Sequence, residues 1–397
     1  MYIWDLMETP QTYLDHAATT PIRPEVREAM APYLDQVFGN PSSSHRFGRA
    51  ARAGLEQARR DIAEAVGCEP TQVVFTSGGT EADNLAVIGA AFAAAARGRP
   101  RRVAVSAIEH KAILAAAHTV ATLGGDEIIL PVDGNGALQL DALDAALARH
   151  PAVVSVMWVN NEVGSLQPIA EIAARCSAAG VPLHTDGVQA FGKVSVDLRN
   201  LPVSLLTLSG HKLGAPKGIG ALVVRDRGLV EAMIHGGGQQ YGIRPGTENV
   251  AGAVALGCAA RLAAAEQSSE LPRLASLRNQ LEALLLRDIA DLMVVGAGGT
   301  RAPHILTVAI AGADSETLLM HLDMQGVAAS GGSACSTGAV EPSHVLCAMG
   351  VPRDLALGQL RFSFGHESTM ADVERAASIL PKVVARARKL SGALGRA

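Results

Sequence analysis

Lys212 is the residue whose setting in this sequence most favours a chemical role. It ends the tetrapeptide Ser209–Lys212 and follows the apolar run Ser204–Leu208, which predicts a strand that delivers the lysine to a turn of small residues. Burial at such a turn removes water from the ammonium group and lowers its pKa, so that the free amine can form a Schiff base with a carbonyl compound. An ordinary surface lysine at a strand end is the alternative, and this motif alone does not decide between the two.

A second candidate is Cys335, which lies among small residues in the stretch Ser330–Gly338. Buried structural cysteines usually have apolar neighbours, whereas a flexible polar loop would expose a reactive thiol. We therefore predict that Cys335 is a nucleophile. No Cys-x-x-Cys pair is present, which argues against a structural zinc site or a disulfide framework. The cysteines predicted to be inert are Cys68, Cys176, Cys258 and Cys347.

Two glycines and a threonine follow the predicted strand Gln72–Thr76. In the segment Ser77–Asn84, Gly78 and Gly79 free the backbone, and Thr80 offers a hydroxyl where a helix begins. Unpaired N–H groups at a helix start, together with the helix dipole, can hold a phosphate. An ordinary helix cap by a hydroxyl is equally compatible with this segment.

Other predicted strands also end in polar groups, at Glu109-His110, at Asn160–Glu162 and at Asp186–Gln189. Ligands of open parallel sheets bind outside the carboxyl ends of the strands, so we expect these groups to surround one site. Asp186 could cap a helix, or it could hold a proton on the ring nitrogen of a cofactor. A single histidine such as His110 is more often structural than catalytic.

The elements that must position these groups alternate between β-rich runs and Ala/Leu-rich segments from about residue 70 onward. The predicted strands are Gln72–Thr76, Arg102–Ser106, Glu127–Leu130, Ala152–Val159, Pro182–Thr185, Leu205–Leu208 and Gly220–Val224. The predicted helices are Leu85–Ala96, Ile113–Leu123, Asp141–Ala148 and Ile169–Ala179. This alternation predicts an α/β fold with a mostly parallel sheet covered on both faces.

The pattern changes after about residue 260. A long helix over Leu274–Leu286 is followed by strands at His304–Ile310 and Val327–Ala329 and by a final amphipathic helix, Met370–Leu390. We predict a smaller α+β domain, with a boundary near residues 260–265. The large, cofactor-binding domain is expected to comprise residues 13–262. The small domain is expected to comprise residues 1–12 and 263–397, with the cysteine loop at about 330–342.

Composition excludes several classes of function. The 397 residues are 48% hydrophobic and 18% charged, and the net charge of −4 provides no basic excess for nucleic acid or an anionic membrane. The N-terminus lacks the features of a secretory signal, and the longest apolar stretches are shorter than the ~20 residues of a membrane span. We therefore predict a cytoplasmic protein. No G-x-G-x-x-G opens the first strand–helix turn, which disfavours a dinucleotide-dependent dehydrogenase. The segment that ends at Val194 is similar to a P-loop, but Val194 stands where a P-loop needs Ser or Thr, so we exclude a nucleotide triphosphate site.

Taken together, these segments resemble the cysteine desulfurases, in the group that includes the nitrogen-fixation and housekeeping iron–sulfur assembly enzymes. The resemblance runs from Tyr13–Thr20 to Arg361–Gly365. The motifs between them follow the family's order and are Phe38–Ser43, Glu109-His110, Asn160–Glu162, Ser209–Lys212 and Arg244–Asn249. The loop Ser330–Gly338, followed by Glu341–His344, is similar to that of the first of the family's two groups, whose catalytic cysteine lies on a longer loop.

The resemblance implies a pyridoxal-phosphate-dependent transferase of fold type I, similar to aspartate aminotransferase, with a seven-stranded sheet and a homodimeric assembly. Pyridoxal 5'-phosphate would be held as a Schiff base by Lys212. Asp186 would pair with its ring nitrogen, Gln189 with its ring hydroxyl, and His110 would stack on the ring. The residues that would hold the phosphate are Gly79, Thr80, Ser209, His211 and the partner subunit's Thr247. The residues that would bind the substrate are Asn161, Arg361 and Asn40, and Asn161 would also contact the cofactor.

The resemblance also implies the reaction. L-cysteine would become L-alanine, and its sulfur would remain as a persulfide on Cys335 for transfer to an iron–sulfur scaffold or another acceptor protein. Lys212 would carry the Cα proton with help from His110, and the Cys335 thiolate would attack the substrate sulfur. No metal site is expected, apart from Cys335 as a transient iron–sulfur ligand.

Three positions depart from the family pattern. Gln240 and Tyr241 stand where relatives commonly carry Glu and Arg, and His366 stands where many carry Arg.

Two alternative functions stay open: an aminotransferase or selenocysteine lyase of the same fold, or a cofactor-free sulfur-relay scaffold that is not an enzyme. The acceptor is open as well, between a general cluster scaffold, a nitrogenase-specific scaffold and a tRNA-thiolation relay.

Overall fold

The structure of the protein is a computed structural model that describes residues 11–332 and 341–394. The helices are α1 (Pro24–Met30), α2 (Pro32–Asp35), α3 (Arg46–Val66), α4 (Gly79–Ala96), α5 (Lys111–Thr122), α6 (Leu140–Leu147), α7 (Ile169–Ala178), α8 (Val250–Asp288), α9 (Ser315–Asp323), α10 (His344–Ala348), α11 (Arg353–Ala356) and α12 (Met370–Leu394). The strands are β1 (Thr12–Tyr13), β2 (Val73–Thr76), β3 (Arg102–Ser106), β4 (Asp126–Leu130), β5 (Val153–Ser155), β6 (Leu183–Asp186), β7 (Leu205–Ser209), β8 (Gly220–Val224), β9 (Leu292–Val294), β10 (Ile305–Ile310), β11 (Val327–Ala328) and β12 (Gln359–Ser363).

A seven-stranded sheet with the order β2-β8-β7-β6-β5-β3-β4 lies at the centre of the larger part of the fold. Strands β7, β6, β5, β3 and β4 pair in parallel. Strand β8 runs antiparallel to both of its neighbours, β2 and β7. The predicted α/β fold with a mainly parallel sheet is confirmed, and β8 is the reversed strand that the sequence pattern did not indicate.

Both faces of this sheet are covered by helices. In β3, Val103 and Val105 pack with α4 and α5 on one face. Ala104, which lies between them, packs with α3, α7 and α8 on the other face. Because successive side chains of a strand point to opposite faces, a strand covered on both sides must be apolar throughout, and this requirement explains the unbroken apolar runs in the sequence.

A second group of strands follows along the chain. Strands β12, β10 and β9 form an antiparallel sheet, and β1 pairs in parallel with β11. Phe362 on β12, Leu306 on β10 and Leu380 on α12 are fully buried in its core. This part has the α+β character that was predicted for the chain after residue 260.

Helix α8 contributes to both cores. Leu256 packs in the core of the large sheet, and Leu274 packs in the core of the smaller one. The predicted boundary near residues 260–265 therefore falls inside one continuous helix of 39 residues, which contains Pro272. The division of the chain into two domains stays a prediction.

Several elements differ from the sequence-based expectation, among them β5 and α3. The strand predicted over Ala152–Val159 is shorter in the structure, where β5 covers Val153–Ser155. Beyond it, the backbone N–H groups of Val156 and Trp158 still donate to oxygens of β6, whereas the N–H of Met157 donates to Oε1 of Glu109 at 2.6 Å. Helix α3 was not predicted at all. Its buried face combines glycine and alanine with isolated larger residues such as Leu55 and Ile62, so it forms no apolar run.

Candidate functional site

Polar side chains that follow β2, β3, β5, β6 and β7 meet at one cavity of about 190 Å³. This is the edge of the sheet at which parallel strands present their carboxyl ends, where ligands of such sheets bind. The cavity is lined by Gly79, Thr80, Asp83, His110, Met157, Asn161, Asp186, Val188, Gln189, Ser209, His211 and Lys212. Nine of these twelve are residues to which the sequence analysis assigned a role, so the structure brings most of the predicted site together.

Lys212 ends a short 3-10 turn that directly follows β7. Its Nζ donates to the carbonyl oxygens of Ala17 and Ala18 at 2.5 and 2.6 Å. Burial, together with the positive charge of Arg361, lowers the pKa of Lys212 to about 8. Part of the Lys212 population therefore carries the free amine near neutral pH, and that is the form that attacks a carbonyl carbon.

Asp186 and Asp83 place two carboxyl groups in the cavity wall. Asp186 accepts a hydrogen bond from the backbone N–H of Val188 at 2.8 Å, whereas Oδ1 of Asp83 has no hydrogen-bond partner among the described residues. Burial raises the pKa of both groups, and the charge of Asp186 raises that of Asp83 further. The Val188 N–H and the Lys212 ammonium both favour the ionised form of Asp186, so the negative charge of this pair belongs on Asp186.

His110 caps helix α5 and lines the same cavity. Its Nδ1 accepts the backbone N–H of Ala112 at 3.1 Å. Burial lowers the pKa of His110, and the charge of Lys212 lowers it further, so the ring is neutral near pH 7. Because Nδ1 is the acceptor, the single ring proton lies on Nε2.

The groups predicted to hold a phosphate adjoin one another at one end of the cavity. Gly79 and Thr80 form the first turn of α4, and a Cβ atom added to Gly79 would lie 3.5 Å from Cβ of Ser209. His211 hydrogen-bonds through Nδ1 to Oγ1 of Thr19 at 3.1 Å. The first N–H groups of a helix have no partner within the helix, so this end of the cavity suits an anion.

Arg361 on β12 connects the smaller sheet to the cavity region. One of its Nη atoms donates to Oδ1 of Asp15 at 2.7 Å, and the other donates to the backbone oxygen of Asn161 at 2.8 Å. The residue as a whole is 7% exposed, and Nε has no partner among the described residues. A guanidinium group with an unused N–H beside Asn161 can bind a carboxylate.

Three further residues have predicted roles, and none of them is among the described groups of the cavity wall. Asn40 is exposed, and its side-chain oxygen accepts the backbone N–H of Ser42 at 2.9 Å. Thr247 is exposed in the segment before α8. Cys335 lies outside the described residues. The roles expected for these three residues stay predictions.

The positions that depart from the family pattern also lie away from this wall. The buried side chain of Gln240 accepts the backbone N–H of Phe75 at 3.0 Å and donates to Glu248 at 2.8 Å. The ring of Tyr241 lies under the guanidinium of Arg227, 3.7 Å from the ring centroid. His366 lies at the surface, 3.8 Å from carboxylate oxygens of Glu266 and Glu270.

Sequence reasoning missed several groups of the site. Asp83 lies one helical turn after Thr80, so helix spacing could have placed both side chains on one face. Met157 and Val188 carry no polar group that would single them out. The carbonyl oxygen of Ala17 is a backbone acceptor and left no signal in the side-chain pattern.

The groups on the wall match those that pyridoxal phosphate requires. The start of α4 suits the phosphate, the Asp186 carboxylate suits a protonated ring nitrogen, the amide of Gln189 suits the ring oxygen, and the amine of Lys212 suits the aldehyde. The residues present therefore fit this cofactor.

Comparisons with known proteins agree with this arrangement. The family model for aminotransferase class-V matches residues 12–376. The cysteine desulfurase IscS of Dictyoglomus turgidum is 41% identical over 381 residues, which cover 96% of this chain and 96% of that protein. A solved NifS-like protein superposes with a TM-score of 0.88 at 30% identity, over 95% of this chain and 100% of that one. The structure of SspA in complex with cysteine superposes with a TM-score of 0.79 at 31% identity, over 89% of this chain and 98% of that one.

The likeness to the NifS-like structure confirms the predicted fold. Within residues 11–332 and 341–394, no helix has the length and apolar character to cross a membrane. In the same part of the chain, no three side chains of His, Cys, Asp or Glu converge as metal ligands.

Proposed function

Because the chain belongs to the aminotransferase class-V family, we propose that it is a cysteine desulfurase that depends on pyridoxal 5'-phosphate. The observation that carries this proposal is the partly buried Lys212, whose pKa is lowered to about 8, in one cavity with Asp186, His110 and the start of α4. Relatives of about 41% identity over nearly the whole chain are named cysteine desulfurases, which supports the same activity here.

Lys212 would hold the cofactor through its Nζ, as the sequence motif predicts. Asp186 would keep a proton on the ring nitrogen, Gln189 would donate to the ring oxygen, and the neutral ring of His110 would lie against the cofactor. The phosphate would be held by Gly79, Thr80, Ser209 and His211, with the partner subunit's Thr247. When bound, pyridoxal phosphate supplies an electron sink that stabilises the charge left on the substrate when its Cα proton leaves.

The chain's own residues would then orient the substrate and move its protons. Arg361, through its unused Nε–H, and Asn161 would bind the carboxylate of L-cysteine, with Asn40 contributing as the resemblance implies. Lys212 would take the Cα proton and return it, because its amine is near its pKa at neutral pH. Nε2–H of His110 would assist as a proton donor.

The sulfur transfer would use the thiolate of Cys335. A sulfur–sulfur bond forms between Cys335 and the substrate, and the bond between the substrate's Cβ and sulfur breaks. The electron pair of that bond stays with Cβ, which takes a proton, so that one thiol and one cysteine give one persulfide and one alanine without an external oxidant. The persulfide on Cys335 would pass to an iron–sulfur scaffold or another acceptor, and Cys335 would be the transient ligand of a cluster.

We further propose a homodimer, a cytoplasmic location and a division into a large domain of residues 13–262 and a small domain of residues 1–12 and 263–397. The dimer is supported by the exposed position of Thr247, which is away from the cavity of its own chain.

Purified protein supplied with pyridoxal phosphate and L-cysteine is expected to release alanine and, with a reductant, an equal amount of sulfide. Cys335→Ala should abolish sulfide release and keep the visible band of the cofactor. Cys347→Ala removes an exposed cysteine on α10 and should change neither. Unchanged turnover in Cys335→Ala would indicate a lyase that does not use this thiol, and activity on selenocysteine alone would indicate a selenocysteine lyase.

Borohydride reduction of the loaded protein, followed by peptide mapping, is expected to label Lys212. Lys193 and Lys217 serve as internal controls that should stay unlabelled. A protein that remains colourless with pyridoxal phosphate and shows no labelled lysine would overturn the proposal in favour of the cofactor-free scaffold.

A further inference from the structure

The side-chain amide of Gln189 is held by the protein at both of its ends. Its Nε2 donates to the backbone oxygen of Ala17 at 2.8 Å, and its Oε1 lies 3.4 Å from Nε2 of His304. A carbonyl oxygen can only accept, so the NH₂ group of Gln189 must face Ala17. The amide oxygen must then face His304, and the contact is a hydrogen bond only if Nε2 of His304 carries the proton.

His304 lies directly before β10 and is 1% exposed. Its Nδ1 has no hydrogen-bond partner among the described residues. Burial, together with the positive charge of Lys193, lowers the pKa of His304 well below its ordinary value, so the ring holds one proton. A proton on Nδ1 would leave a buried donor unpaired and set two acceptor atoms against each other, and the Nε2–H tautomer avoids both costs.

A primary amide has two N–H bonds, and Ala17 uses only one of those of Gln189. Because Gln189 lines the cavity, its second N–H is available to a ligand there. Rotation of the amide by half a turn would present its oxygen to the cavity, but it would also set the amide oxygen against the Ala17 oxygen. His304 opposes the same rotation from the other end, since its N–H would then face the amide nitrogen.

We propose that His304 is a positioning residue, which donates from Nε2 to Gln189 and, together with the Ala17 oxygen, holds Gln189 as a hydrogen-bond donor, not an acceptor, toward the cavity. The inference rests on the proposed function, because the acceptor in the cavity is the ring oxygen of pyridoxal phosphate. A donor at that oxygen withdraws negative charge from it. With the cofactor bound, that oxygen would hold a proton less tightly, so the visible band would titrate at a lower pH.

The first test uses the pH midpoint of the cofactor's visible absorption band in the loaded enzyme. His304→Phe removes the donor from a ring of similar size, and the midpoint is expected to rise by about half to one pH unit, the effect of one hydrogen bond. Gln189→Ala should raise it similarly, and the double variant should show no further rise. His321→Phe is the matched control, since His321 is also buried, has a ring nitrogen (Nε2) without a partner in the part of the chain that the structure describes, and does not line this cavity. It should leave the midpoint unchanged.

A second measurement uses the native protein and therefore does not depend on whether a variant folds. Full-length protein labelled with ¹⁵N in histidine, with and without pyridoxal phosphate, should show His304 as the Nε2–H tautomer in both states. An Nδ1–H tautomer would overturn the inference. So would a midpoint in His304→Phe that equals that of His321→Phe, or an additional rise in the double variant.

Failure of the proposed function is recognised separately. If the protein develops no visible band with pyridoxal phosphate, the cofactor assignment and the role of Gln189 toward the cofactor are overturned. If His304 is nevertheless the Nε2–H tautomer, its hydrogen bond to Gln189 still stands.

Discussion

The side chains of Lys212 and Gln189 donate to one acceptor, the backbone oxygen of Ala17, at 2.5 and 2.8 Å. A carbonyl oxygen has two lone pairs and can satisfy both donors. The amine of Lys212 is thereby held beside the amide that is proposed to meet the ring oxygen of the cofactor. When Lys212 turns toward an aldehyde, the bond from Gln189 to Ala17 can remain, so this part of the wall keeps its shape.

The lowered pKa of Lys212 predicts how fast the cofactor-free protein captures pyridoxal phosphate at each pH. Only the free amine attacks the aldehyde, so the rate should rise about tenfold per pH unit below pH 8 and level off above it. Stopped-flow recording of the visible band measures this rate. Arg361→Gln removes a charge that lowers this pKa, so the pH midpoint of the capture rate should be higher in this variant than in the native protein. A midpoint near that of an ordinary lysine in the native protein would contradict the prediction.

Removal of the Lys212 amine should strongly reduce turnover. Lys212→Ala is expected to lower kcat by at least about 10²–10⁴-fold, the range for removal of a positioned proton carrier. Lys382→Ala removes an exposed lysine of α12 and serves as the control, with no expected change in alanine formation. Turnover in Lys212→Ala within a few-fold of the native value would show that the proton is carried elsewhere.

The ion pair between the buried Arg361 and the partly buried Asp15 should matter for stability. Asp15→Asn leaves the guanidinium, which is 8% exposed, without its charged partner, and the free energy of unfolding should fall by about 3 kcal/mol. Glu25→Gln disrupts an ion pair with Arg23 at the surface, where Glu25 is 52% exposed, and should have no measurable effect. Urea unfolding of both variants at pH 7 provides the comparison. Equal stabilities would show that the Arg361 pair does not stabilise the fold.

Acid should weaken the fold through its buried histidines. Burial lowers the pKa of His184 to about 3, below the ordinary value of 6.5. The unfolded chain therefore binds a proton at this position as pH falls through 6.5, while the folded chain does not, and stability is lost below that pH. From pH 7 to pH 5 this histidine alone should reduce the free energy of unfolding by about 2 kcal/mol.

Urea unfolding at the two pH values measures this loss. His118→Gln changes an exposed histidine and should keep the pH dependence, whereas His184→Gln should reduce it by about the contribution of one group. An equal pH dependence in both variants would count against His184 as a source of the acid sensitivity.

Much of the cavity could be predicted from local sequence. The rule that ligands gather at the carboxyl ends of parallel strands selects Asp186, His110 and Lys212 from the sequence alone, because each closely follows an apolar run. The same alternation of strand and helix predicts the sheet and its two covered faces. These are properties of neighbouring residues, so the local order of the chain is enough to determine them.

Other features depend on residues that are distant in the sequence. The contact of Gln189 with His304 joins positions 115 residues apart, and the pair of Asp15 and Arg361 joins positions 346 apart. The reversed strand β8 and the lowered pKa of Lys212 also arise only when separate elements pack together. The sequence by itself determined which chemical groups enter the cavity. The tertiary structure decided their protonation and hydrogen-bond direction, because burial and the choice of partner depend on long-range packing.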